Sequence, residues 1–246
     1  MNEILTTLDG LLNRRVILEQ PAAGYRVAVD TVLLAAAVPA AAGDKALDLG
    51  CGVGGAMLCL ACRVAGMTGV GIDIQHELVE LCHRNIARNA FAAGFEAQQE
   101  DVAHLPPDLC GAFDHVFMNP PYHEENRHDA SPHAMKRAAN TEKMGDLALW
   151  IGSAAAALKP FGTLTMIHRA DRREEILSCL RNSFGEIEIL PLLPKQGVEP
   201  KRVIFRARKN AAFSVRECPH LTLHEEGGGY TDEAERVLRH CGSLFI

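Results

Sequence analysis

From Lys45 onward, short runs of consecutive apolar residues alternate with longer segments whose apolar positions recur every three or four residues. Compact apolar runs bounded by glycine, proline or acids read as buried strands, and the periodic stretches read as helices. The pattern predicts strands over 46–49, 69–73, 96–100, 115–118, 163–168, 187–190 and 202–207. It predicts helices over 54–65, 75–89, 142–158 and 172–182. Alternation of this kind implies an α/β fold of Rossmann-like type, with a seven-stranded, mostly parallel sheet and helices on both faces. Ligands of such sheets sit beyond the carboxyl ends of the strands. Asp48, Asp73, Asp101 and Asn119 all fall at those ends. Residues 1–43 precede the alternation and are expected to add a hairpin or helix covering the pocket. Residues 44–246 would form the core, and 1–246 a single domain.

The first strand end, Ala46-Leu47-Asp48-Leu49-Gly50-Cys51-Gly52-Val53-Gly54-Gly55, passes from an apolar run into a glycine-rich turn and then a helix. Glycine lets the backbone turn tightly and lets a ligand approach without a Cβ in the way. Gly50, Gly52 and Gly54 fit the Gly-x-Gly-x-Gly pattern of S-adenosylmethionine (SAM) enzymes, while Gly50, Gly52 and Gly55 fit the Gly-x-Gly-x-x-Gly dinucleotide pattern. Asp73 ends the second strand, with Ile74 behind it, and can accept from both hydroxyls of a ribose, which either cofactor carries. Asp48 separates the two patterns, because a carboxylate just ahead of the turn suits an ammonium group and opposes a pyrophosphate. Glu100-Asp101-Val102 follows the third strand, where SAM enzymes use an acid for the adenine amino group and the next backbone N–H for the ring. The expected cofactor is therefore SAM, held by Asp48, Gly50, Cys51, Gly52, Gly54, Asp73, Ile74, Asp101, Val102 and Asn119.

Asn119-Pro120-Pro121-Tyr122 follows the fourth strand. Two prolines fix φ and push the residues before them into extended geometry. That aims the Asn119 amide and the Pro120 carbonyl in fixed directions, where both can accept from one planar NH2 group. Tyr122 then offers a flat face for stacking. The plain alternative is an ordinary strand-to-loop turn.

Taken together, Asp48–Gly54, Asp73, Asp101 and Asn119–Tyr122 resemble the class I SAM-dependent methyltransferases that methylate a planar nitrogen. More narrowly, the chain resembles the bacterial tRNA (adenine-N6) methyltransferase family that acts on the anticodon loop of a valine tRNA. Residues 24–35, 201–205, 221–226 and 229–231 are similar to that family's N-terminal lead-in, late strand and C-terminal segment. His123 departs from the second aromatic that nucleic-acid adenine methyltransferases often carry. The resemblance implies Asn119, Pro120, Pro121 and Tyr122 as the catalytic group and tRNA or another structured RNA as partner. Two alternatives remain open: methylation of a glutamine side-chain amide in a protein, and a SAM- or RNA-binding module without catalysis.

Composition adds bounds. A chain of 246 residues with 48% hydrophobic content can bury a full core. No apolar run reaches the ~18 residues a membrane span needs. The first residues, with Glu3 and Asp9, lack the basic start of a secretory signal, so a cytoplasmic protein is expected. The net charge of −6 opposes a strongly basic nucleic-acid binder. Locally, Lys195, Lys201, Arg202, Arg206, Arg208 and Lys209 face a single acid, Glu199, which would suit a phosphate backbone or simply a solvated strand face. The eight cysteines include Cys59-x-x-Cys62 inside a helix without further ligands, and free thiols are expected. His123, His128 and His133 lack the ligand pattern of a metal site, and none is expected.

Overall fold

The computed structural model describes residues 5–23, 26–121 and 146–244. Its elements are β1 (Thr6–Leu11), β2 (Val16–Pro21), α1 (Val29–Ala37), β3 (Lys45–Leu49), α2 (Gly55–Arg63), β4 (Thr68–Asp73), α3 (His76–Arg88), β5 (Phe95–Gln99), β6 (Phe113–Met118), α4 (Asp146–Ala157), β7 (Leu158–Arg169), α5 (Arg173–Leu180), β8 (Phe184–Lys195), β9 (Arg202–Lys209), β10 (Val215–Glu217), β11 (Leu221–His224) and α6 (Asp232–His240).

Alternate side chains of a strand point to opposite faces, and β3 shows the consequence. Ala46 joins the apolar cluster built with α1, α2, α3 and α6, whereas Leu47 and Leu49 join the cluster built with α4 and α5. Both faces are thus covered, as a parallel sheet requires. The strand order is β5-β4-β3-β6-β7-β9-β8, parallel except for β9, which runs against β7 and β8.

The expected seven strands form this core, but among the described residues the sheet has nine. The short β10 and β11 pair in parallel with the outer side of β8, β10 along 187–189 and β11 along 192–195. Pro191 falls in the gap between them, where a missing N–H breaks no ladder bond. That is why β8 runs on through a proline that, read along the sequence, ends the strand at 190.

Before the core, where a hairpin or a helix was expected, the chain forms one of each. The β1–β2 hairpin lies against α3 through two buried asparagines. Asn85 Oδ1 accepts from the Glu19 N–H at 2.7 Å, and its Nδ2 donates to the Glu19 and Val53 carbonyls. Asn89 repeats the exchange with Ile17. Each side-chain amide thereby satisfies backbone groups that the strand edge would otherwise bury unpaired. The Asn85 bond to Val53 also ties this assembly to the glycine turn.

Candidate active site at the carboxyl edge

Register brings the candidate residues together. Leu49 pairs with Ile72 on one side and Met118 on the other, and Asp73 pairs with Gln99. Gly50 and Asn119 therefore leave adjacent strands side by side, roughly 5 Å apart at the strand spacing. Beyond Gly50, Cys51 donates its N–H to the Ile72 carbonyl at 2.9 Å, and Gly54 donates to the Cys51 carbonyl before capping α2.

The turn has a filled side and an open side. Gly50 has φ +71°, and a Cβ there would lie 2.6 Å from Trp150 Cη2 on α4. A Cβ on Gly54 would lie 2.6 Å from Cys82 Sγ, and one on Gly55 2.9 Å from Val27. Gly52, at φ +54°, has nothing within 4 Å of its Cβ direction. The turn backbone is therefore open at Gly52, while Val27 and Thr31 of the N-terminal segment close its back.

Two buried carboxylates flank this opening. Burial pushes the Asp48 carboxyl up to about 8, partly offset by the Met57 N–H at the start of α2, with the nearby Asp73 adding to the rise. Asp73 Oδ2 accepts from the Gly52 N–H at 3.0 Å and Oδ1 from the Gln75 N–H at 2.9 Å, and burial again raises its pKa. Such a place favours a cation. An ammonium group set there would favour the ionised form of both carboxyls, whereas a pyrophosphate would oppose it. The structure thus supplies an electrostatic reason for choosing SAM over a dinucleotide.

Further along the edge, Asp101 caps a turn at the end of β5. Its Oδ1 accepts from the Ala103 N–H at 2.9 Å and its Oδ2 faces His104 Nδ1 at 3.1 Å. The Ala103 N–H, then His104, hold its carboxyl below the ordinary range. The Val102 carbonyl accepts from Ser153 Oγ on α4 at 2.7 Å. Ile74, by contrast, is 62% exposed, an apolar side chain left open beside the Asp73 carboxylate. On the other flank of the turn, Asn119 is half-buried and Pro120 buried as the chain leaves β6. Tyr122, His123, His128 and His133 lie outside the described residues.

Trp150 and Ser153 were not legible as site residues. The sequence marks 142–158 as a helix, but nothing in its periodicity shows that one flank meets both the Gly50 and the Val102 turns. The basic window also divides. Arg206 and Arg216 both engage Glu188, Arg208 reaches Glu186 at 3.4 Å, and Lys209 Nζ donates to the Leu158 carbonyl. Arg202 is bound to Asp30 at 2.9 Å. Much of the apparent positive charge is therefore spent within the fold. Lys195, Lys201 and Arg202 stand at the carboxyl edge; the others run away from it. All eight cysteines are free thiols. Cys59 is buried within α2, and burial raises the Cys62 thiol to about 11. Among the described residues, no group of His, Cys, Asp and Glu is placed to hold a metal, and no helix is long and apolar enough to cross a membrane.

A parallel sheet with a glycine turn after its first core strand, an acid ending the second and an Asn-Pro-Pro turn after the fourth is the layout of the class I SAM-dependent methyltransferases. An Agrobacterium tumefaciens protein described as a predicted O-methyltransferase superimposes with a TM-score of 0.74 at 25% identity, covering 88% of this chain and 98% of that one. The chain belongs to the methyltransferase small domain family, whose family model matches residues 23–193, and within it to the family of the tRNA1(Val) (adenine(37)-N6)-methyltransferases. It is 30% identical to the protein of that name from Shewanella sp. (strain MR-7) over 85% of this chain and 89% of the relative. A release factor glutamine methyltransferase from Agrobacterium fabrum is 34% identical, but over 47% of this chain and 39% of the relative.

Proposed function

We propose that this protein transfers the methyl group of SAM to the exocyclic N6 of an adenine in tRNA or another structured RNA. The observation that carries the reading is the side-by-side exit of the open glycine turn and the Asn-Pro-Pro turn from β3 and β6. That arrangement puts a cofactor and a planar amine within one another's reach. The relatives named as tRNA adenine-N6 methyltransferases support the choice of base and partner.

SAM supplies an electrophilic methyl group on a sulfonium. Asp48 would meet its ammonium end, Asp73 its ribose and Asp101 with the Val102 N–H its adenine, while Gly50, Cys51, Gly52 and Gly54 give the backbone close approach. The N6 nitrogen of adenine is a poor nucleophile because its lone pair is delocalised into the ring. Asn119 Oδ1 and the Pro120 carbonyl accept its two N–H bonds, which favours a pyramidal nitrogen with the lone pair aimed at the methyl. Pro121 stiffens the turn, and Tyr122 stacks on the base after it is splayed from the RNA. Positioning and electrostatics thus stand in for a strong base. Residues 1–43 close the cofactor side and 44–246 form the catalytic core. Lys195 and Lys201, at the same edge, face the RNA backbone.

The test is tritium transfer from methyl-labelled SAM into bulk tRNA, with total soluble protein as a parallel acceptor. Label recovered as N6-methyladenosine is the expected result. Label in protein glutamine instead would reassign the acceptor, and label in neither would remove the reading.

A further inference from the structure

We propose that Cys62 and Cys241 form a thiol pair that low-molecular-weight disulfides oxidise reversibly, with Arg15 beside the attacking sulfur. The pair joins distant parts of the chain. Cys62 lies in the last turn of α2, the helix that leaves the glycine turn. Cys241 caps the C-terminus of α6, 179 residues on. Their sulfurs stand 3.7 Å apart, and Arg15, between β1 and β2, donates from Nη1 to Cys241 Sγ at 3.4 Å. Both thiols are half-buried and within reach of a small reagent, whereas Cys51, Cys59, Cys82 and Cys218 are buried. A bond needs the sulfurs to close to about 2.0 Å. Rotation about a Cα–Cβ bond carries a sulfur through more than that gap.

The chemistry is thiol–disulfide exchange with a reagent such as oxidised glutathione. The Arg15 guanidinium selects Cys241 as the attacking sulfur, because a cation beside it offsets the negative charge carried during attack. Cys241 Sγ attacks one glutathione sulfur, breaks the S–S bond and releases one glutathione thiolate. Burial, then Cys241, pushes the Cys62 thiol up to about 11. The part due to Cys241 disappears once that sulfur sits in a mixed disulfide. Cys62 then gives up its proton, attacks Cys241 Sγ and expels the second glutathione. Two electrons pass from the protein to the reagent, and both thiol protons end on glutathione. The link staples the end of α6 to α2. The Leu244 N–H already holds the Ala36 carbonyl at 2.8 Å, so α1, α2 and α6 become one tied layer. A pair that opens and closes with the glutathione pool senses redox state rather than bracing the fold permanently. It uses none of the residues assigned to methyl transfer, so it stands or falls apart from that reading.

The test treats the reduced full-length protein with excess oxidised glutathione, blocks remaining thiols with N-ethylmaleimide and digests with trypsin without reduction. Mass spectrometry should find the peptide ending at Arg63 joined to the one carrying Cys241, lighter than their sum by a pair of hydrogens. Dithiothreitol should separate them. The oxidised protein should melt about 5 °C or more above the reduced one, since the link closes a long loop. Cys62→Ser and Cys241→Ser should each abolish the link and the oxidant-dependent shift, and Cys59→Ala should keep both. Arg15→Gln should slow formation several-fold, with a melting temperature of the reduced protein close to the parent's. Glutathione resting on either cysteine without the joined peptide would overturn the inference, as would both thiols recovered blocked by maleimide. A link that persists in Cys62→Ser would overturn it as well. An unchanged rate in Arg15→Gln would overturn the choice of Cys241 as the attacking sulfur.

Discussion

Replacing Asp48 by asparagine should make the protein more stable and the cofactor site worse. In the unfolded chain an aspartate ionises near 3.8, whereas burial holds the folded Asp48 carboxyl at about 8. Between those values the folded protein keeps a proton that the unfolded chain has lost. Stability therefore falls as pH rises through the window, because the unfolded state binds fewer protons. Each pH unit is worth about 1.4 kcal/mol, so full expression of the shift would cost the native state about 4 kcal/mol at pH 7. Asparagine keeps the shape and can still accept from the Met57 N–H, but it does not ionise. Urea unfolding followed by circular dichroism should show Asp48→Asn more stable than the parent by about 2–4 kcal/mol at neutral pH, with the gap closing toward about pH 4. The same variant should bind SAM more weakly, since asparagine has no proton to give up and so cannot become a carboxylate facing the ammonium group. A variant less stable than the parent at every pH, with a constant gap, would refute the reasoning: it would mean that Asp48 is ionised in the fold and held by hydrogen bonds.

The remaining predictions concern neighbouring groups. Asp73→Ala should raise the KM for SAM by about tenfold or more, through loss of the ribose acceptor and of the 3.0 Å bond that holds Gly52, with a smaller effect on kcat at saturation. Asn119→Ala should abolish transfer while SAM affinity measured by calorimetry stays within about threefold; equal loss of both would make Asn119 a pocket residue only. Asn85→Ala should destabilise the protein by about 2–4 kcal/mol, because the Glu19 N–H and the Glu19 and Val53 carbonyls lose a partner in a fully buried position. Hydrogen exchange should then show faster opening of β2 and of the glycine turn, and unchanged protection there would discount the coupling.

The core strands were legible because each is a run of apolar residues closed by a glycine, a proline or an acid, and the parallel order follows from the helices between them. What escaped was structure whose evidence is tertiary. In β7, Pro160 and Gly162 interrupt a strand that pairing with β6 extends back to Leu158. The C-terminal helix α6 did carry local signs. Thr231 Oγ1 accepts from the Ala234 N–H, acids fill its first turn, Arg239 and His240 end it, and Ala234, Val237 and Leu238 form its buried stripe. Residues 227–229, three glycines just ahead of it, drew attention to a turn instead. The candidate site was legible where function demands a residue type at a strand end. It was illegible where a residue supports the site from another element, as Asn85 and Trp150 do. The net +5 of the basic window was visible too, but Glu186, Glu188 and Asp30, which neutralise much of it, arrive from other elements and distant positions in sequence.

A planar NH2 group is common to adenine and to a glutamine amide, so the Asn-Pro-Pro turn does not by itself choose the acceptor. The asymmetry of the sheet bears on that choice. β3, β4, β5 and β6 have five or six residues each, whereas β7 and β8 have twelve. Met118 pairs with Met166, Arg202 pairs with both Arg169 and Leu192, and β8 continues to Lys195. Lys195 therefore stands about 20 Å beyond the end of β6 at the usual rise per strand residue. β11 extends this ridge, with His224 opposite Lys195 and stacked on Tyr230 at 4.8 Å between ring centroids. A wall of that height, rising across β7 and β9 from the acceptor turn, suits a folded loop pressed against it, carrying phosphates within reach of Lys195 and Lys201. A short peptide strand would leave it uncovered. The similarities divide in the same sense: the glutamine methyltransferase matches about half of this chain, while the tRNA adenine-N6 methyltransferase matches most of it. In the proposed function, methyl donor and amine chemistry belong to the short strands, and the choice of RNA over protein belongs to the long ones.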